Sequence, residues 1–231
     1  MIYKILMTGG SGLLGSEIRK LDSTIISPTR RELDITSLKS IEKAIKKYKP
    51  DVILHLAAAN KPPKHETDPV PGLTVNIIGT ANICLACYKS SVKLIYTSTD
   101  YVYSGAGPHK EEAGLLPPSK FAWSKLGGEC AVQMLKKFLI LRLDFGPSPF
   151  PWGKVYKNQF VSKLYTKEMA PLVLKVVKSK ATGVMNLGGQ RISLEEYARE
   201  TRPDIESIPK PDWVPQDSSL DITKMKKELK L

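Results

Sequence analysis

The 231 residues include only 3 cysteines and 7% aromatic side chains, and no apolar stretch approaches the length of a membrane span, roughly 18–20 residues. Three cysteines are too few for a disulfide framework, so a reducing compartment is expected. The opening MIYKILMTGG lacks the basic start, long apolar run and small-residue cleavage site of a secretion signal, and the expected location is the cytoplasm. Also missing are a zinc-finger spacing, a His-Glu-x-x-His pair, a nucleophile elbow and a P-loop, so no metal ligands are assigned. Acids are scarce as well: 23 Asp and Glu stand against 35 Lys and Arg, a formal net charge of +12. The lysines are spread over several helical segments without aromatic-rich RNA-binding motifs, which disfavours nucleic acid as a partner. A basic surface still attracts phosphorylated small ligands. What is present, 42% hydrophobic and 25% charged residues, is enough for one substantial soluble core.

Ile2–Met7 is a short apolar run ending in Thr8-Gly9-Gly10, and it reads as a buried strand followed by a helix from Gly12 to about Lys20. Ser23–Ser27 reads as a second strand. Ile41, Ala44, Ile45 and Tyr48 recur at helical spacing between Ser37 and Lys49, with Pro50 as a stop. Asp51–Ala57 reads as strand, the proline-containing stretch Asn60–Gly72 as a surface loop, and Leu73–Lys89 as helix. The strand Lys93–Ser98, a helix over about Pro118–Lys137 and the strand Phe138–Leu143 follow. Strands alternating with helices predict parallel βαβ units, hence a doubly wound parallel α/β sheet of the Rossmann type with a crevice at the strand carboxyl ends. After Gly146 the pattern loosens. Pro147–Phe160 reads as irregular, Lys167–Lys178 as helix, Val184–Leu187 as strand and Pro203–Pro215 as loop. Ser193 and Glu196 form a capping box, and Asp221 is expected to cap a last basic helix. Residues 1–146 are therefore expected to be a dinucleotide-binding domain. Residues 147–231 are expected to be a small substrate region packed on it, with a strand and helix returning to the main sheet.

TGGSGLLG (Thr8–Gly15) is the sharpest motif, placed where the first strand turns into a helix. Gly9, Gly12 and Gly15 satisfy one glycine spacing and Gly10, Gly12 and Gly15 another. Such residues permit a tight turn and let a pyrophosphate approach helix-start amides from Gly12 through Leu13 and Leu14. An NAD site commonly places an acid after the second strand, but Ser23–Thr29 contains none. Arg30 and Arg31 follow instead, and either can pair with a 2′-phosphate, which favours NADP over NAD.

Taken with RRELDIT (30–36), PDVILHLAAA (50–59), VNIIGTANI (75–83), STDYVYSG (98–105), SKLGGE (124–129) and SSLDITKMKKEL (218–229), the chain resembles extended short-chain dehydrogenase/reductases. Within that group it resembles dTDP-4-dehydrorhamnose reductases. The resemblance implies that Asp34 and Ile35 line an adenine pocket and that Leu56, Ala57 and Ala58 lie beside the cofactor ribose and phosphates. It also implies that Thr99 and Lys125 are catalytic, that Lys125 holds the nicotinamide ribose, and that Asp100 and Tyr101 face a nucleotide-sugar or related carbonyl substrate. By analogy, such folds pair as homodimers across a two-fold.

Hydride addition to a ketone needs a proton donor at the nascent alkoxide, and the family places a Tyr four residues before the Lys. This chain has Phe121 there. A phenyl ring holds no transferable proton, and loss of such a donor typically costs about 10²- to 10⁴-fold in rate. Lys125, Thr99, Asp100 or a water is then left to compensate, with Tyr101 and Tyr103 nearby in sequence. A weak or altered enzyme, a cofactor-binding regulatory or scaffold protein without turnover, and a deliberate Tyr replacement all remain open. The stretch between Leu143 and Ala181 is also shorter than the family's substrate cap. Cys84-x-x-Cys87, inside a helical segment, reads as packing, and His55 in its strand reads as structural; His65 and His109 fall in loops. Trp152 and Trp213 either cover a ligand or pack on the surface.

Overall fold

A computed structural model describes residues 3–231; Ile2, the first residue of the expected opening strand, lies outside them. The first half runs β1 (Ile5–Thr8), α1 (Leu13–Leu21), α2 (Leu38–Tyr48), β2 (Val52–His55), α3 (Pro62–Thr67), a π-helical segment (Gly72–Gly79) that continues into α4 (Thr80–Ser90), and β3 (Lys93–Thr97). A 3-10 turn (Asp100–Val102), α5 (Lys120–Gln133) and β4 (Phe138–Leu143) follow. The remainder comprises β5 (Phe145–Gly146), β6 (Lys154–Tyr156), β7 (Phe160–Val161), β8 (Leu164–Tyr165), α6 (Thr166–Val177), β9 (Gly183–Leu187), β10 (Ile192–Ser193), α7 (Leu194–Arg199), β11 (Glu206–Ile208) and α8 (Thr223–Leu229).

β1, β2, β3, β4 and β9 form one parallel sheet in that order. Because side chains alternate across a strand, each strand feeds two cores. Ile5, Met7, Val52, Leu54, Leu139 and Leu141 join Leu14 and Ile18 of α1 and Met169 and Val173 of α6 on one face. Leu6, Ile53, Leu94 and Ile140 join Ile41 and Ile45 of α2 and Ile83 of α4 on the other. Helices thus cover both faces, as expected for a doubly wound sheet. After the irregular stretch the chain returns to this sheet, α6 packing beside α1 and β9 pairing with β4. A smaller core of Phe150, Val155, Tyr165, Tyr197 and Ile205 lies beyond the sheet.

Several local expectations need correction. Ser23–Ser27 is not a full strand: it touches the sheet edge through a single Leu6–Ile26 bridge, bonded by Met7 N–H to the Ile26 carbonyl at 2.7 Å and Ile26 N–H to the Ile5 carbonyl at 2.9 Å. The supposed loop Asn60–Gly72 contains α3, whose first residues are prolines pre-set for a helix start where no N–H is required. His65 therefore lies in a helix and is buried, and His109, though in a loop, is also buried and stacks on Tyr103. The Pro147–Phe160 and Pro203–Pro215 stretches pair with each other as β6–β11, and the first runs into β7, which pairs with β10. Ser193 and Glu196 form their capping box. Asp221 accepts the Thr223 N–H at 2.8 Å, one residue before the last helix's own cap position. Cys84 and Cys87 are buried on α4, where burial raises both thiols, Cys84 up to about 12. His55 is buried between Thr8 and Thr80, its Nδ1 2.7 Å from Thr8 Oγ1 and its Nε2 3.1 Å from Thr80 Oγ1. Among the described residues no helix is long and apolar enough to cross a membrane.

A buried charge pair fastens α5 to the sheet. Arg142 Nη2 donates to Glu129 Oε2 at 2.7 Å, and Arg142 Nη1 donates to Tyr103 Oη at 2.9 Å and to the Glu111 carbonyl at 3.0 Å. Removing one member of a buried pair leaves the other charge unpaired, which commonly costs about 3–5 kcal/mol. Glu129→Gln is expected to lose stability on that scale, read as a lower urea midpoint at unchanged m-value.

Candidate active site

The β1–α1 turn is shaped to leave amides free. Gly9 has φ +75°, a left-handed conformation that side chains rarely adopt, and an added Cβ there would lie 2.6 Å from the Ala57 nitrogen. At Gly15 a Cβ would lie within van der Waals distance of the Gly9 carbonyl, so helix and turn can close together only without a side chain. Gly12 is the N-cap and supplies no side-chain acceptor. The Gly12 N–H, expected to be free, is taken by the Gly9 carbonyl at 3.0 Å as the turn closes. The amides that open α1, from Leu13 on, have no capping side chain and carry the positive end of the helix dipole. At Gly12 an added Cβ would contact only the Gly9 carbonyl at 3.3 Å and otherwise open space. This cradle fits a phosphate group on main-chain donors. Leu14 is buried beneath the turn while Leu13 is exposed at the cleft mouth.

The neighbouring predicted positions are placed as follows. Arg30 and Arg31 are exposed, beyond the Leu6–Ile26 bridge. Asp34 holds its carboxylate in a local turn, accepting from Thr36 N–H at 2.9 Å and Thr36 Oγ1 at 2.8 Å, which lowers its pKa. Ile35 is buried in the core, its side chain close to Gly79. Leu56, Ala57 and Ala58 extend from the carboxyl end of β2, and the Ala57 N–H donates to Thr8 Oγ1 at 3.2 Å.

Thr99 and Asp100 follow the end of β3, and Phe121 and Lys125 lie one turn apart on α5. Asn76 helps set this helix: its amide donates to Ser124 Oγ at 2.8 Å and to the Ala59 carbonyl at 3.1 Å. Tyr96 Oη donates to the Lys125 carbonyl at 3.2 Å, and Lys125 Nζ lies 4.2 Å from the centre of the Tyr96 ring. Burial pulls the Lys125 ammonium down to about 7, with Glu129 opposing the shift. The Phe121 ring packs edge-on against His65, with ring centres 5.5 Å apart.

A cavity of about 600 Å³ reaches from Leu13 past Thr99, Asp100 and Phe121 to Trp152 and Trp213; Lys125, buried behind Phe121's helix face against Tyr96, does not line it. Both tryptophans thus border the cleft. Its far wall comes from the segments after β4. Asp144, immediately beyond β4, pairs with Lys163 at 2.6 Å, and Gln159 Nε2 donates to Tyr101 Oη at 2.9 Å. Burial, with the Asp100 and Asp144 charges adding, holds the Tyr101 phenol far above its ordinary range. Ser98 Oγ, Asp100 Oδ2 and Gln159 Oε1 line this space buried and without hydrogen-bond partners, which marks it as built for a polar ligand. Asp144, Lys163, Ser98 and Gln159 were not picked out from sequence. Asp144 had a usable signal, its place at a strand's carboxyl end; Lys163 and Gln159 had none.

A family model described as the RmlD substrate binding domain matches residues 3–184. The chain belongs to this family. A dTDP-4-keto-6-deoxy-D-glucose reductase of Streptomyces niveus is 32% identical over 138 residues, covering 57% of this chain and 48% of that protein. The match thus spans about half that relative's length. A dTDP-4-dehydrorhamnose reductase from Clostridium acetobutylicum superposes with a TM-score of 0.85 at 27% identity, covering 97% of this chain and 91% of the other. The Bacillus anthracis dTDP-4-dehydrorhamnose reductase, solved with NADP, reaches a TM-score of 0.88 over 98% of this chain and 93% of that one; at 21% identity it shows a shared fold. In this RmlD-family chain the glycine turn is fixed by backbone packing. Gly9→Ala is therefore expected to lose about 2 kcal/mol or more, from left-handed strain plus the clash at Ala57, measured by thermal or urea unfolding.

Proposed function

We propose that the chain is a reductase that uses NADP, in preference to NAD, to reduce a 4-keto-6-deoxy nucleotide sugar or a related carbonyl. The observation that carries this reading is one cavity reaching from the glycine turn to Thr99, Asp100 and Phe121. In this reading residues 1–146 bind the dinucleotide. Residues 147–231 form the substrate side and return α6 and β9 to the sheet. The amides of Leu13–Gly15 hold the pyrophosphate, Asp34 and Ile35 border the adenine, and Leu56–Ala58 border the ribose and phosphates. Arg30 reaches for a 2′-phosphate, its exposed position suiting a charge that stays solvated. When bound, the dihydronicotinamide supplies the hydride.

The protein's own groups orient and protonate. Lys125 turns from the Tyr96 ring to meet the nicotinamide ribose from α5 when the cofactor binds, and the Thr99 hydroxyl binds the carbonyl oxygen. Asp100 and Tyr101 contact the sugar, with Trp152 and Trp213 covering the outer cleft. Phe121 fills the space of the expected phenol without supplying its proton, so turnover is slow. A second reading, a dinucleotide-binding regulatory or scaffold subunit without turnover, is favoured by the same residue.

Titration with NADPH and NADH, followed by nicotinamide fluorescence, tests the cofactor. NADPH is expected to bind more tightly, and absence of binding by both overturns the proposal. Gly12→Ala is expected to weaken NADPH about tenfold or more, about 1.4 kcal/mol, at an unchanged unfolding midpoint. With 4-keto nucleotide sugars, Phe121→Tyr is expected to raise kcat, up to the roughly 10²- to 10⁴-fold contributed by a positioned acid. Cofactor binding with no turnover by either protein would favour the second reading.

A further inference from the structure

We propose that Asp100 and Thr99 form a two-group proton relay that replaces the phenol missing at Phe121, with Asp100 as proton source and Thr99 as the group touching the substrate oxygen. The inference rests on the reductase reading. It begins from a chemical deficit. Hydride arriving at a carbonyl carbon sends the C=O electron pair to oxygen, and one proton must reach that oxygen. On α5, Phe121 has none to give, and the Lys125 ammonium is turned onto the Tyr96 ring.

Asp100 is the acid in this cavity best placed to hold one. It is 2% exposed yet lines the cleft, and its Oδ1 lies 3.0 Å from Thr99 Oγ1. The Tyr101 N–H, 3.3 Å from the same Oγ1, fixes the hydroxyl between the carboxyl and the cleft. Oδ2 has no hydrogen-bond partner, an unfavourable state for a buried carboxylate and a far cheaper one for a carboxylic acid. Ser218, from the C-terminal segment, lies beside Asp100 and, like Thr99, favours its ionised form, though short of full hydrogen-bond geometry. Beyond β4 lies Asp144, whose negative charge further disfavours ionisation of Asp100. Lys163 opposes this but is engaged by Asp144 at 2.6 Å. On α5, packed against the 100–102 turn, Glu129 is taken by Arg142. Burial first, and Asp144 second, push the Asp100 carboxyl up to about 8, so it carries its proton at neutral pH.

The transfer balances. The Thr99 O–H bond breaks as the new alcohol O–H forms, and the Asp100 proton moves to Thr99 Oγ1. Asp100 is left as a carboxylate, and after product leaves a proton from cleft water returns to it through the Thr99 hydroxyl. The ketone is reduced, the dihydronicotinamide is oxidised, and the relay ends as it began.

Two measurements on the full chain test this. In an isotope-edited infrared spectrum with ¹³C-aspartate, a protonated carboxyl band is expected at pH 7, titrating away near pH 8 and absent from Asp100→Asn. In NADPH oxidation with a 4-keto nucleotide sugar, the acid form is the active one. The rate is therefore expected to be full at lower pH and lost as pH rises through about 8. Asp100→Asn is expected to lower kcat about 10²-fold or more with NADPH affinity unchanged, and Asp100→Asn/Phe121→Tyr to recover it. An ionised Asp100 at pH 7, or an Asp100→Asn enzyme with the original rate and pH profile, overturns the relay. Turnover by Phe121→Tyr alone, with the unaltered chain silent, overturns the relay while keeping the reductase reading. Silence from both overturns the reductase reading and the relay with it.

Discussion

Arg142 and Glu129 meet on the floor of the molecule with almost no solvent access, and much of the cleft's geometry is referred to them. Burying two charges costs several kcal/mol per ion unless nearly every donor and acceptor is engaged. Here the guanidinium binds both carboxylate oxygens, Tyr103 and the Glu111 carbonyl. Tyr103 Oη donates in turn to Asn186 Oδ1 at 2.7 Å, and the Asn186 amide donates to the His109 carbonyl at 2.8 Å. One network therefore ties α5, which carries Phe121 and Lys125, to β4, β9 and the segment that follows Thr99 and Asp100. The side chains around the cleft come from many separate chain segments, and this network sets the relative positions of those on α5, after β3 and after β4.

The two ends of the cleft are electrically different. At the glycine turn the local field is positive and comes from backbone alone, since Gly12 offers no capping side chain. At the other end the polar groups are side chains held in a water-poor wall: Asp100, Asp144, Lys163, Gln159 and Tyr101. Such a wall makes each charge consequential, because solvent screens it poorly. Phe121 lies between the two ends and makes the middle of the cleft apolar. The chain thus carries helix-start amides at one end of the cleft and a buried carboxyl at the other, with a ring that bears no hydroxyl between them.

The glycine turn, the parallel alternation and Phe121's place four residues before Lys125 were legible in the sequence, because each depends on local spacing. Short apolar runs, helical periodicity at Ile41–Tyr48 and a glycine triplet after a strand are patterns that one stretch of chain carries by itself. Ser23–Ser27 was misjudged because only Ile26 comes into register with the sheet, through one bridge to Leu6, so its apolar pattern is not extended by a pairing ladder. Asn60–Gly72 was misjudged because prolines at a helix start resemble prolines in a loop. The folding of the stretches after Gly146 into paired short strands was hidden as well, since β6–β11 and β7–β10 join residues about fifty and thirty positions apart.

The sequence by itself therefore determined the layered α/β plan, the glycine turn and a phenyl ring one helical turn before Lys125, all consequences of residue type and short-range order. Only the tertiary structure decided which polar groups share the cavity, that Asp144 faces Asp100, and that Lys163 answers Asp144. Those relations depend on burial and on through-space distance between segments far apart in the chain, and burial is what determines whether a carboxyl keeps its proton.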